Sequence, residues 1–269
     1  VFPLLGFVQP TAVDVVNGEV ISLRVPGMTE SFSLVRCPDG EIESGDEVLE
    51  IPELYVLTTE VTWDLYDIYV YKLDEPEVGS ALDGVSRPSK PYVPPDRGFG
   101  HEGYPAIGMT RHAAEGFCDW LSLKTGLEIR LPTAEEWMHL ARAERAGSAP
   151  LDEVAWYADN SAHSTHPVGE KQPNAFGLYD TLGNAAEWVL SDTRNPIAYG
   201  GGYRDGADAC GVDSFQKEVS AWNQSDPQIP KSKWWLADCS WVGFRFVIEA
   251  DSVNPEKLEE LRHDIEESD

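Results

Sequence analysis

Four kinds of side chain in this sequence are placed where they could do chemistry. The densest set is Asn174–Trp188, which holds two acids (Asp180, Glu187), two amides (Asn174, Asn184), two glycines and several aromatics without a Lys or Arg. It is too polar for a plain core strand, and its glycines are too regularly set for an unstructured loop, so it is the first candidate for a site. His163 and His166 lie three residues apart in one loop and could hold a transition metal; no third ligand is in sight nearby, and an exposed pair of loop histidines is the plainer reading. His101, His112 and His139 form no His-x3-His or similar cluster with them. The four cysteines, Cys37, Cys118, Cys210 and Cys239, are too few for a disulfide scaffold, and Cys118 reads as a buried helical thiol. Trp222, Trp234, Trp235 and Trp241 could present a glycan-binding face, although Trp clusters more often fill cores. Trp234 and Trp235 are adjacent, so in a strand one of them would face away from the core.

Two helices and a set of strands must position these groups. Thr110 to Thr125 has an apolar face at helical spacing, with Thr110 as its cap and Gly126 where a left-handed terminus belongs. Thr133–Glu136 is a capping box that opens a second helix after Pro132. Trp63–Leu73 also has helical spacing. Residues 1–60 read as β, with Ser31–Cys37 and Leu54–Thr62 as strands and an Asn17-Gly18 turn within Val13–Val25. Residues 74–105 carry six prolines and are expected to be irregular. Residues 150–250 read as short strands and long ordered loops, closing on a strand over Trp241–Ile248. After Asp251 the composition turns acidic, and Asn254-Pro255 opens a helical tail (251–269) with a narrow stripe of Leu258, Leu261 and Ile265.

The 269 residues suffice for a sizeable core, and 42% hydrophobic content with nine Trp argues against disorder. A formal charge of −27 makes nucleic acid and anionic membranes poor partners and fits solubility, cation binding or a basic partner. No apolar run is long enough to span a bilayer, so no membrane insertion is expected. The chain begins at Val1, not Met, which fits removal of a leader; an extracytoplasmic location, periplasmic or secreted, is the expectation, with the cytoplasm left open.

With these residues in view, the chain resembles the formylglycine-generating enzyme, or sulfatase-modifying factor, family. The matching pieces come in family order: Glu60–Trp63, Trp120–Gly126, Arg130–Trp137, Pro167–Gly169, Pro173–Asp180, Gly183–Trp188, Gly200–Tyr203 and Gly243–Arg245. They run from about Phe32 to Val247, within a domain drawn over 1–250. The resemblance implies an α+β, C-type-lectin-like fold with little regular secondary structure.

It also implies chemistry. The family's calcium ligands fall on Asp180, Gly183, Ala185 and Glu187, an oxygen mix of the kind calcium accepts. The alternative is a loop held by Asn184 and Glu187 hydrogen bonds without an ion. A second calcium site would begin at Asn160, but its later Asp has no counterpart before Pro167. The family's oxidase centre is a Cys-x4-Cys pair whose soft thiolates hold Cu(I). Here Asp205 stands at the first position and Cys210 at the second. A carboxylate is a poor ligand for Cu(I), so copper is not expected. Tyr203, Arg204, Trp235 and Cys239 complete the pocket expected around this altered centre, and Cys239 could approach Cys210.

The expectation is therefore a non-catalytic, calcium-stabilised scaffold whose loops bind a protein, peptide or glycan. It could also serve as a subunit of a larger complex through the tail helix. The alternative is a metal-dependent oxidoreductase on the same fold, of copper or non-haem iron type.

Overall fold

The computed structural model describes residues 18–44, 47–74, 79–91, 93–143, 149–192 and 194–266. Asn17 of the expected turn and the last residues of the tail lie outside them.

The N-terminal strands alternate buried and exposed residues. In β1 (Val20–Arg24) Ile21 and Leu23 point inward, and in β2 (Ser31–Cys37) Phe32 and Leu34 do. This period of two places both sets on the core face of one sheet. That sheet has the order β1-β2-β5-β10, all antiparallel, with β5 at Leu54–Leu57 and β10 at Val247–Glu249. A hairpin of β3 (Gly40–Ser44) and β4 (Glu47–Ile51) sits beside it. A second sheet has the order β8-β7-β6-β9, from Phe215–Lys217, Ile197–Tyr199, Ala186–Trp188 and Val242–Gly243, with β6 and β9 parallel.

Two of the helices form where their caps predict. Helix α1 spans Trp63–Tyr71. Helix α2 spans Arg111–Thr125; Thr110 Oγ1 accepts from the Ala113 amide at 3.2 Å, and Gly126 ends the helix at φ 74°. Helix α3 spans Ala134–Arg142, with both capping-box bonds made: the Glu136 amide donates to Thr133 Oγ1 at 3.1 Å, and the Thr133 amide to Glu136 Oε2 at 2.8 Å. These bonds supply partners for amides that an α-helix leaves open at its start. A short α4 (Leu151–Val154) follows. Residues 74–105 hold no helix or strand among the described residues.

Two sequence expectations are corrected. Trp241–Ile248 is not one strand. Its first part, β9, pairs with β6, and its last part, β10, pairs with β5, so Gly243–Phe246 crosses between sheets. Gly243 permits the crossing because a Cβ there would lie 2.6 Å from the Ala106 carbonyl oxygen. Leu54–Thr62 is likewise shorter than expected, ending as a strand at Leu57. The C-terminal helix, α5 (Pro255–Glu266), packs against β1, and Leu258 and Leu261 join the main core. Leu258 and Leu261 of the tail's apolar stripe are thus engaged by the chain's own core. Arg262 adds an ion pair to Glu19 at 3.2 Å. No helix among the described residues is long and apolar enough to cross a membrane.

Candidate functional site

The crossing at Gly243–Phe246 delivers Arg245 into the core, where it is fully buried. A buried guanidinium needs a partner with matching geometry. Glu187, on β6, provides it: Arg245 Nε donates to Oε2 at 2.7 Å and Nη2 to Oε1 at 2.5 Å. Nη2 also donates to the Tyr179 carbonyl at 2.8 Å. Trp137 Nε1, from α3, donates to Glu187 Oε2 at 2.7 Å, so the capped helix, the second sheet and the crossing meet at one carboxylate.

Two more buried carboxylates approach this pair. Asp180 Oδ2 accepts from the Gly169 amide at 2.7 Å, and Glu60 Oε1 accepts from the Ala185 amide at 3.2 Å. Their other oxygens, Asp180 Oδ1 and Glu60 Oε2, are buried without a hydrogen-bond partner. Burial, opposed by the Gly169 amide and Arg245, pushes Asp180 up to about 6. Burial, then the charges of Asp180 and Glu187, push Glu60 well above the usual carboxylate range. Three carboxylates thus share one guanidinium.

The loop carrying Asp180 is tightly turned. Asp180, Gly183 and Asn184 all adopt left-handed φ values, of 53°, 77° and 50°. A Cβ at Gly183 would come within 2.3 Å of the Trp156 carbonyl oxygen. Asn184 Oδ1 accepts from the His166 amide at 2.9 Å, and the Asn184 amide donates to the Trp156 carbonyl at 2.7 Å. The hydrogen bonds of Asn184 and Glu187 therefore do hold this loop, yet they leave two carboxylate oxygens unpartnered. These two unpartnered oxygens and the local excess of negative charge are what a calcium ion would draw on. Glu187 is less available than Asp180, because Arg245 and Trp137 already donate to it. Among the described residues no three His, Cys, Asp or Glu side chains converge as a metal-holding group. An ion here would draw on two carboxylates and backbone carbonyls such as those of Gly183 and Ala185. Glu60 was not singled out as a site residue from sequence; the signal available was an acid leading Glu60–Trp63 between two apolar runs.

The loop after β7 is built differently. Asp205 Oδ2 accepts from the Gly202 amide at 2.9 Å and from Gln216 Nε2 at 2.6 Å, while the Asp205 amide donates back to the Gly202 carbonyl at 2.9 Å. Gln216 Oε1 in turn accepts from Trp241 Nε1 at 2.9 Å, and the Arg204 guanidinium lies 3.9 Å from the centre of the Trp241 ring. Asp205 closes a turn and anchors a polar chain. Cys210 is buried beside this turn, its Sγ 3.9 Å from the Gly202 carbonyl. Burial, and then the Asp205 charge, push its thiol up to about 12.

The pocket expected around Asp205 divides. Cys210 packs with Trp137, Tyr157 and Tyr199, whereas Cys239, Trp235 and Tyr203 belong to the main core. All four cysteines are free thiols, and burial also pushes Cys239 up to about 12. Tyr203 shares a hydrogen bond with Ser240 at 2.9 Å, and Trp235 Nε1 donates to the Ser89 carbonyl at 2.7 Å. Cys210 and Cys239 form no disulfide, and each thiol belongs to a different cluster of core side chains.

The remaining candidates have structural partners. Asn160 Oδ1 accepts from the Tyr157 amide and its Nδ2 donates to the Ala155 carbonyl, at 2.9 and 3.0 Å. The His166 ring stacks on Trp156 at 3.7 Å and bonds the Ser161 carbonyl through Nε2 at 2.8 Å. His139 Nε2 bonds the Pro38 carbonyl at 3.1 Å, and His101 Nε2 lies 2.8 Å from Asp67.

The architecture is that of α+β domains with the formylglycine-generating-enzyme-like fold. The structure of Treponema denticola variable protein 1 superposes with a TM-score of 0.62 at 20% identity, covering 86% of this chain and 99% of that one. Residues 28–250 match the family described as sulfatase-modifying factor enzyme 1-like domain, and the chain belongs to that family. Among characterised relatives, the inactive C-alpha-formylglycine-generating enzyme 2 of Bos taurus is 30% identical over 105 residues, 33% of this chain and 33% of that protein. The formylglycine-generating enzyme of Streptomyces coelicolor is 30% identical over 119 residues, 37% of this chain and 36% of that protein. The aligned stretches thus span about a third of the length of these relatives.

Proposed function

We propose that this chain is a non-catalytic member of its family, a binding scaffold whose Asn174–Trp188 block is stabilised by calcium. The observation that carries the reading is Asp205. A thiol oxidase of this kind needs two soft thiolates to hold Cu(I). At the first position this chain has a carboxylate, a hard oxygen donor already engaged by the Gly202 amide and Gln216. The remaining thiol, Cys210, is buried and strongly biased towards its protonated form. Similarity to an inactive family member supports the same reading.

Bound calcium would supply positive charge to Asp180 and Glu60, leaving Arg245 to Glu187. The residues' own task is to hold the loop: Gly183 allows the close approach to Trp156, and Asn184 ties the loop to His166. A maintained scaffold beside a centre without its thiolate pair suits recognition of a protein, peptide or glycan through the surface loops.

The test is incubation of the purified chain with Cu(I), O₂ and a Cys-containing sulfatase peptide. The expected result is no aldehyde product above the protein-free control. Conversion of the Cys to formylglycine would overturn the proposal.

A further inference from the structure

The proline-rich segment does more than cover the core. Between residues 86–91 and 93–99 on one side and the loop 225–237 on the other lies a small cavity of about 90 Å³ that opens to solvent. Its walls are mainly apolar and include Pro91, Val93, Pro95, Pro227 and Trp235, with Arg97 among them.

Both walls are held in place. Trp235 Nε1 donates to the Ser89 carbonyl, and Arg97 Nη2 to the Leu236 carbonyl at 3.1 Å, so each segment is tied to the other. The 225–232 loop is closed by Asp226, which accepts from the amides of Ser232 at 2.6 Å and Gln228 at 2.9 Å. Asp238 accepts from the Ser225 amide and hydroxyl, both at 2.6 Å. Prolines fix φ along the other wall. A preformed cavity of this kind loses little ordering entropy when a ligand enters.

Arg97 sets the chemistry. It adopts φ 56°, a left-handed conformation that a non-glycine residue resists. Its Nε is buried without a hydrogen-bond partner, so the protein satisfies the guanidinium only in part. The Asp226 carboxylate, also at the cavity, is engaged by backbone amides. Local charge runs against that of the whole chain. The two segments carry Lys90, Arg97, Lys231 and Lys233 against Asp96, Asp226 and the adjoining Asp238, with Arg87 paired to Asp74 at 2.9 Å, in a chain of net charge −27. Such a local reversal attracts an anion that the rest of the surface repels.

We propose that this cavity binds a small organic carboxylate with a compact apolar body. The body occupies the space between the prolines and Trp235, and the carboxylate meets Arg97, with Lys90 at the rim. The site is separate from the Asp205 turn, and its test needs neither copper nor a thiol peptide, so its failure is distinct from failure of the non-catalytic reading.

The experiment is calorimetric titration of the whole chain with 4-phenylbutyrate and with the uncharged 4-phenylbutan-1-ol. The carboxylate should bind at least about tenfold tighter, the worth of one charge-assisted contact. Arg97→Gln should erase that preference, and Arg97→Lys should recover part of it. Lys90→Gln, at an exposed position, should reduce the preference without disturbing the fold. Ala237→Trp, which puts bulk into the cavity, should remove binding of both probes. Equal binding of the two probes, a preference that survives both Arg97→Gln and Lys90→Gln, or binding that survives Ala237→Trp would each overturn the proposal. So would the absence of binding, or tighter binding of the tetrapeptide Gly-Gly-Gly-Phe with a free carboxylate, which would assign the cavity to a peptide terminus.

Discussion

Two neighbouring regions of this molecule treat charge in opposite ways. Around Arg245 three buried carboxylates share one guanidinium, and two of their oxygens have no partner. Around Asp205 a single carboxylate has its donors in place, and the nearby thiol is kept protonated. The first region holds charge in a form that an added cation would relieve. In the second, the carboxylate standing where the resemblance puts a metal-binding thiolate closes a turn. The difference separates what this fold needs to stand from what its enzymatic relatives need to react.

The largest effect should come from cutting the first region. Arg245→Met leaves Glu187 buried without its counter-charge, a loss of about 3–5 kcal/mol on the scale of broken buried pairs. Denaturant unfolding should show the midpoint falling sharply or the chain failing to fold. A loss under about 1 kcal/mol, the range of exposed pairs, would mean that the cluster reorganises freely.

Next is the pH response of Asp180. The native group releases its proton near 6 and the unfolded group near 3.8. Between those values the native state holds more protons, so in calcium-free protein stability should fall as pH rises from about 4 through 6. The loss is up to about 3 kcal/mol at two pK units. Thermal melts of the wild type and Asp180→Asn should differ in this slope, and added calcium should raise the wild-type melting temperature at pH 7 more than that of Asp180→Asn. Identical slopes would remove Asp180 from the account.

The smallest effect belongs to the second region. Asp205→Ala frees the Gly202 amide and Gln216 and should cost about 1–3 kcal/mol in the same unfolding assay. A cost near zero would make the turn incidental and weaken the contrast.

Much of this was readable from sequence where one residue type solves one local problem. Thr133 and Glu136 announce a capping box because each satisfies the other's amide. Gly126 marks a left-handed terminus because side chains resist that backbone. The ordered pieces from Glu60 to Arg245 specify the fold because each is a local constraint on a shared scaffold. What sequence hid is non-local. Nothing near Gly243 says that the chain changes sheets there; the reason is the Ala106 carbonyl, more than a hundred residues away. Glu187 falls on a calcium-ligand position by resemblance, and its pairing with Arg245, 58 positions on, shows only in the folded chain. Glu60 escaped notice because its role appears only when Ala185 folds against it. Trp235 and Cys239 join the main core with Tyr203, whereas Cys210 joins another cluster, a division that chain order does not show.

We propose that this chain holds no copper because the turn-closing carboxylate of Asp205 stands where a second thiolate would be needed. Anaerobic competition for Cu(I) between the protein and a chromogenic chelator tests it directly. The account predicts that the wild type takes up no stoichiometric Cu(I) and that Asp205→Cys, which rebuilds the pair with Cys210, gains that uptake. Wild-type uptake of one Cu(I) per chain, lost in Cys210→Ser, would contradict it.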